Sequence, residues 1–143
     1  VTTPTWTPCA GGVVLDEYGR ILLVLRGQEP YAGHWSLPSG RREPDEDAAA
    51  AAAREVLEET GLVVEVGELL GVVRRQDAVG RYHFEVHDFA CRVVGGSLRA
   101  GDDAADARWF DLDDVRALRL PPGLLDALED FGVVPGTPVP DGG

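Results

Sequence analysis

Lysine and methionine are missing from this 143-residue chain, cysteine occurs only twice, and no apolar run approaches the roughly 18 residues of a membrane span. Each lack closes off a class of function. Without lysine the 13 basic residues are all arginine, and against 25 acidic residues they leave a formal charge of -12. Attraction to nucleic acid or to an anionic membrane rests on clustered basic side chains, so neither partner is expected. Cys9 and Cys91 have neither metal-ligand spacing nor a secreted framework around them, and they read as small buried hydrophobes in a reducing compartment. The opening "VTTPTWTPCAGG" lacks the charged-then-apolar layout of a signal peptide, so a cytoplasmic location is the expectation.

What is present is enough for a core. With 44% hydrophobic residues, the chain is expected to form one domain over 1–143 without disulfide or metal staples. "GGVVLDEYGRILLVLRG" reads as a hairpin turning at Asp16 to Gly19, with its second strand ending at Arg26. "GQEPYAGH" is loop by composition, and "WSLPSG" is a short extended piece. A helix is expected next, started by Asp45 or Asp47 with an acidic first turn, filled by the alanines at 48 to 53, and stopped by Gly61. Strands follow in "LVVEVGELLGVVRR" and "RYHFEVHDFACRVV", joined through "QDAVG". After a loop, "ARWFDL" reads as strand, "DDVRAL" and "PGLLDALEDF" as helices, with Asp111 or Asp113 as cap, and 132–143 as a proline- and glycine-rich tail. Strands, a long helix, more strands and terminal helices make an α/β fold with a mixed sheet.

"REVLEETG" places Glu55, Glu58 and Glu59 in the i, i+3, i+4 relation, on one face of the helix, with Ala49, Ala50, Ala53, Val56 and Leu57 opposite. Like charges at that spacing repel by a few tenths of a kcal/mol per pair, about 0.2–0.5 in isolated helices. Something must offset that. The wider string "GRREPDEDAAAAAAREVLEETGL" fits G-x5-E-x7-R-E-U-x-E-E-x-G-U, with U apolar, at Gly40, Glu46, Arg54, Glu55, Val56, Glu58, Glu59, Gly61 and Leu62.

This string resembles the signature of the Nudix hydrolases. "GHWSLPSG" is similar to the family's W-x-L-P-G-G approach, and "ARWFDLDDV" to its late strand and turn; about residues 8 to 130 can be laid on the fold. Ser39 departs from the first glycine of the usual pair, and Asp45 from the glycine before the first box glutamate. The resemblance implies a Nudix α/β/α sandwich with a central mixed sheet, and Mg²⁺, with Mn²⁺ as substitute. It also implies hydrolysis of a nucleoside diphosphate derivative such as ADP-ribose to a nucleoside monophosphate and a sugar phosphate. A house-cleaning nucleoside triphosphate pyrophosphatase is the alternative activity, and a non-catalytic nucleotide-binding module is the alternative class.

By the same resemblance Glu58 and Glu59 are the principal metal ligands, Glu55 a further ligand or the base, and the Ser39 carbonyl and Asp103 completing donors. Carboxylates suit a hard cation that draws charge from phosphoryl oxygens and activates water. Glu46 and Arg54 are expected to pair and hold loop and helix in register. Asp102 falls where relatives place a metal-ligating acid or a base-reading residue. Arg26, Arg74, Arg75 and Arg81 are candidates for the phosphates, and Trp35, Tyr82 and Phe84 for stacking on a base. His83 and His87 are not expected to bind the cation, because a hard-cation site does not favour imidazole. A small nucleotide is the expected partner, and family members' frequent dimerisation raises a homodimer.

Overall fold

The computed structural model describes residues 5–76, 80–101 and 103–136. Asp102, part of the expected "QDAVG" connection and the end of the expected tail lie outside the described residues. Strand β1 (Thr7–Val14) runs antiparallel to β4 (Ser39–Arg41) on one side and parallel to β6 (His83–Gly96) on the other. β6 in turn pairs antiparallel with β5 (Leu62–Gln76), completing a four-stranded mixed sheet. A second sheet has the order β3 (Trp35–Ser36), β2 (Ile21–Arg26) and β7 (Ala104–Phe110).

The expected hairpin between β1 and β2 keeps its turn but not its ladder. Asp16 organises the turn, its carboxylate accepting from the N–H groups of Tyr18 at 2.9 Å and Arg20 at 2.8 Å. A single bridge, Leu15 to Ile21, then links the strands before they part into different sheets. The physical reason is visible in their composition. Cys9 to Val14 and Ile21 to Val24 are buried without alternation, so each strand needs cover on both faces, whereas a ladder with one wet face would alternate.

Helix α1 (Ala48–Thr60) is capped by Asp47, whose carboxylate accepts from the Ala50 N–H at 2.8 Å, and ends on Gly61 in the left-handed conformation. Its first turn is alanine rather than acidic; the acids stand just before it. The buried stripe comprises Ala51, Ala52, Val56 and Thr60, with Ala50 and Leu57 exposed, so it is rotated from the expected face. The rotation has a cause in Glu55 and Glu59, which turn inward toward β4 instead of into solvent. Small side chains let α1 settle on Ala10, Val14, Phe89 and Cys91.

On the far side, Val13, Ile21, Leu23 and Leu37 pack against Val115, Leu124, Leu128 and Val134. These come from a 3₁₀ helix (Leu112–Ala117), from α2 (Leu124–Asp130) and from the residues after it. "DDVRAL", expected to be helical, is helical in the tighter 3₁₀ form; six residues ending at Leu118 are too few to propagate an α-helix, and Asp111 at the cap makes no side-chain cap bond. β7 starts at Ala104, three residues earlier than expected, because β2 offers it a partner as far as Arg26. The result is α1, sheets and C-terminal helices in three layers, an α/β/α sandwich. Both cysteines are buried and unpaired, and among the described residues no helix is long and apolar enough to cross a membrane.

Candidate active site

Arg54 is a hub. Its guanidinium reaches Glu46 at 2.5 Å, Glu55 at 2.9 Å, Glu58 at 3.2 Å and the Arg41 carbonyl at 2.9 Å. One cation thus ties the turn before α1, the end of β4 and two residues of the acidic face together. The Arg54 hydrogen bond, backed by the Glu43 N–H, holds the Glu46 carboxyl down at about 2. The expected pairing of Glu46 with Arg54 is therefore present.

Glu55 and Glu59 face a cleft of about 250 Å³ that Arg26, Ser39, Gly40 and Asp103 also line. Glu59 accepts from the Ser39 N–H at 3.0 Å, and Asp103 from the Gln28 amide at 3.1 Å. Burial pushes the Glu59 carboxyl up to about 8, reinforced by the charge of Glu55 and opposed by the Ser39 N–H and Arg26. Burial also raises Glu55, against the pull of Arg54. Gly40 makes this possible, since a Cβ there would overlap the Glu55 carboxylate. Ser39, which stands in place of the glycine the resemblance led us to expect, is not among the residues with positive φ, so the serine is accommodated without backbone strain.

The donors in this cleft are oxygens, with no imidazole or thiol among its described lining residues, which suits a hard divalent cation. The expected three-glutamate cage is nevertheless not assembled. Glu58 is turned onto Arg54, its side chain is 56% exposed, and among the described residues no three acids are grouped closely enough to hold an ion ready-made. The resemblance implies Glu58 and Glu59 as principal ligands with Glu55 a further ligand or the base; the hub instead separates Glu58 from the other two.

A second cleft, of about 280 Å³, opens beside the first and shares Arg26, Glu29, Ser39 and Gly40 with it. Tyr82 and Phe84 line it, stacked at 5.9 Å with their planes 15° apart, and Arg41 stands 5.9 Å over the Phe84 ring. A family model described as the NUDIX domain matches residues 5–131.

The chain belongs to the NUDIX family.

It is 40% identical over 105 residues to a Methanocaldococcus jannaschii protein named ADP-ribose pyrophosphatase, a match covering 73% of this chain but 62% of that relative. The chain thus spans less than two thirds of that protein's length. A MutT-like protein of Streptomyces ambofaciens is 35% identical over 136 residues, covering 90% of this chain and 81% of the relative. Among solved structures, a MutT NUDIX hydrolase from Burkholderia pseudomallei superposes with a TM-score of 0.80 at 31% identity, covering 89% of this chain and 98% of that one. NUDIX hydrolases generally need a divalent metal and act on small nucleotides.

Other expected residues divide by the pleat of β5. Arg75 lines the second cleft and donates to the Pro122 carbonyl at 2.7 Å. Arg74 points the opposite way, paired with Glu85 at 3.0 Å and lying 4.7 Å over the Trp6 ring, and is not among the lining residues of either cleft. Arg81 lies 5.9 Å over the Tyr82 ring and is not among the lining residues of either cleft. Trp35 packs edge-on against Phe110 at 4.8 Å, in the second core, and is not among the lining residues of either cleft. His83 lies against Trp6, and neither His83 nor His87 lines the carboxylate cleft.

Three cleft residues of this NUDIX protein escape sequence reasoning. Tyr31 adopts a left-handed backbone with φ 64°, which nothing in "GQEPYAGH" announces. Arg41 hides in the box beside Arg42. Asp88, 2% exposed, lies two and four residues beyond Val86 and Phe84, and a strict stride of two along β6 would have found it. Burial pushes its carboxyl up to about 7, opposed by Arg75.

Proposed function

We propose that the protein is a Mg²⁺-dependent pyrophosphohydrolase that cleaves a nucleoside diphosphate derivative such as ADP-ribose to a nucleoside monophosphate and a sugar phosphate. The observation that carries this reading is the continuity of the two clefts through Arg26, Glu29, Ser39 and Gly40. A carboxylate-lined end next to an aromatic-lined end matches a substrate whose diphosphate adjoins a nucleoside with a flat base. Arg26 borders both, its Nε anchored on the Pro30 carbonyl at 2.6 Å, and is placed to hold the bridging phosphates.

Glu55, Glu59, Asp103 and the Ser39 carbonyl are the groups that would hold the cation, and Glu58 joins them only by leaving Arg54. The cation, when bound, withdraws charge from phosphoryl oxygens and lowers the pKa of water. Glu55, raised by burial and oriented by Arg54, is suited to take the proton of the attacking water. Glu46 and Arg54 act as positioning residues. Two buried, unpaired thiols suit the reducing cytoplasm.

The test is a panel of ADP-ribose and nucleoside triphosphates with Mg²⁺ or Mn²⁺, scored by product. AMP and ribose 5-phosphate are expected. Pyrophosphate from a triphosphate, with ADP-ribose left intact, overturns the proposal in favour of a nucleotide-cleansing activity. Glu59→Gln should stay folded and lose turnover by about two orders of magnitude or more; full turnover in that variant ends the cation assignment.

A further inference from the structure

Asp88 takes no part in the carboxylate cleft, yet it is the one charged side chain in the buried class among the described residues. It lies on the inner face of β6 in the row Phe84, Val86, Asp88, and all three line the aromatic cleft. Its neighbour in register on β1 is Gly11, where a Cβ would stand 2.7 Å from Oδ1, so the strand leaves room for this carboxylate. Oδ1 has no hydrogen-bond partner among the described residues. A carboxylate serving only the fold would have its bonds completed within the fold, because a buried oxygen without a donor destabilises it. Oδ1 itself is covered where it lies, so a donor arriving through the cleft completes them as the carboxyl turns toward the cleft that Asp88 lines.

The chemistry of that donor can be narrowed. A phosphate is repelled by a carboxylate, and the phosphates already have Arg26 and the cation site at the other end. The base is the part of the substrate that is flat, uncharged and edged with N–H groups. Phe84 and Tyr82 offer it a stacking surface, and Val86, the step between Phe84 and Asp88, offers an apolar bed.

We propose that Asp88 is a specificity-determining residue whose carboxyl turns into the cleft to accept a hydrogen bond from an exocyclic amine on the substrate's base, as on adenine, while the ring lies over Val86 beside Phe84. Both the ionised and the neutral carboxyl can accept such a bond, so the contact does not depend on protonation. Arg75, on the β5 residue paired with Phe84, is the nearby countercharge. The inference rests on the nucleotide reading of the site.

The experiment compares, by calorimetry on the full chain, AMP with the purine nucleoside monophosphate that lacks the 6-amino group. Wild type, Asp88→Val and Asp88→Asn are used, with ADP-ribose cleavage measured in parallel. Wild type should prefer AMP by about tenfold or more. Asp88→Val, which keeps a strand-forming side chain, should bind the two nucleotides within about twofold of each other, while Asp88→Asn keeps part of the preference through its amide oxygen. Equal weakening of both nucleotides in Asp88→Val marks a structural role and overturns the proposal. So does an unchanged preference in that variant, or no preference or no binding in wild type. If the Asp88-dependent preference is present but ADP-ribose is not cleaved, the diphosphatase reading falls and this inference stands; cleavage without the preference gives the reverse.

Discussion

Gly40 and Glu55 share a space that only one of them can fill, and single residues of this kind set the chemistry. In Gly40→Ala the new methyl would displace the Glu55 carboxylate, which sits at the end of a flexible side chain and can yield. The fold should therefore survive with a change in stability within about 1 kcal/mol, while turnover falls by about tenfold or more. Thermal melts and steady-state kinetics read the two effects separately, and wild-type turnover would show that the Glu55 position does not matter. Asp88 gives a prediction of opposite sign. Its carboxyl is raised from 3.8 to about 7, so the folded state resists an ionisation that the unfolded state accepts. That cost is absent below about pH 4, grows as pH rises toward 7, and is constant above it. Asp88→Asn should thus be more stable than wild type by a few kcal/mol at pH 8, on the order of the shift converted at about 1.4 kcal/mol per unit, and no more stable at pH 3.5. Denaturant melts at the two pH values decide it; equal gains at both would mean that the carboxyl is not held neutral by burial.

Between elements, the end of α1 is latched to the segment that carries Asp103. The N–H of Arg99 donates to the Thr60 carbonyl at 2.8 Å and that of Gly101 to the Glu59 carbonyl at 2.9 Å, satisfying acceptors that a helix terminus leaves open. Gly101 approaches so closely that any Cβ would overlap the Glu58 carbonyl oxygen. Gly101→Val should cost about 1–3 kcal/mol in urea unfolding and lower turnover as well, since Glu59 and Asp103 move apart; loss of stability with full kcat would uncouple the latch from the site. This scale also marks the limit of what the residues announce by themselves. The box was legible because helix period and cap chemistry are local: the stop at Gly61 and a cap at Asp45 or Asp47 can be read within one segment, and the Glu46–Arg54 pair came with the family resemblance. The parting of β1 from β2 was not, because it depends on which distant strands, β6 and β7, compete for their edges. Register decided the rest. Arg74 and Arg75 are equivalent in composition and opposite in direction, and Leu57 looked apolar enough to bury until two neighbouring glutamates claimed the inward side.

For the molecule as a whole, a charge of -12 and the anionic substrate proposed above require a local reversal of field. Arg26, Arg41 and Arg75 supply it around the clefts. A divalent cation joining Glu55 and Glu59 relieves the repulsion between two carboxylates that burial has already made costly, so it should stabilise the fold. At a concentration of about 100 times its Kd the gain is about 2.7 kcal/mol, a rise of several degrees in Tm. Glu59→Gln should abolish most of that rise; a Tm indifferent to Mg²⁺ in wild type would remove the cation from this cleft. The sharing of Arg26, Glu29, Ser39 and Gly40 by both clefts has a further meaning for how such a protein changes over time. On the proposed reading the reacting end draws on residues 24–29, 39–59 and 103–104, whereas Arg75, Tyr82, Phe84 and Asp88 line only the other cleft, and the two clefts meet at the four shared residues. Variation confined to Arg75, Tyr82, Phe84 and Asp88 can therefore explore new substrates while the hydrolytic apparatus is inherited intact, which makes those four positions the place to begin a directed-evolution library.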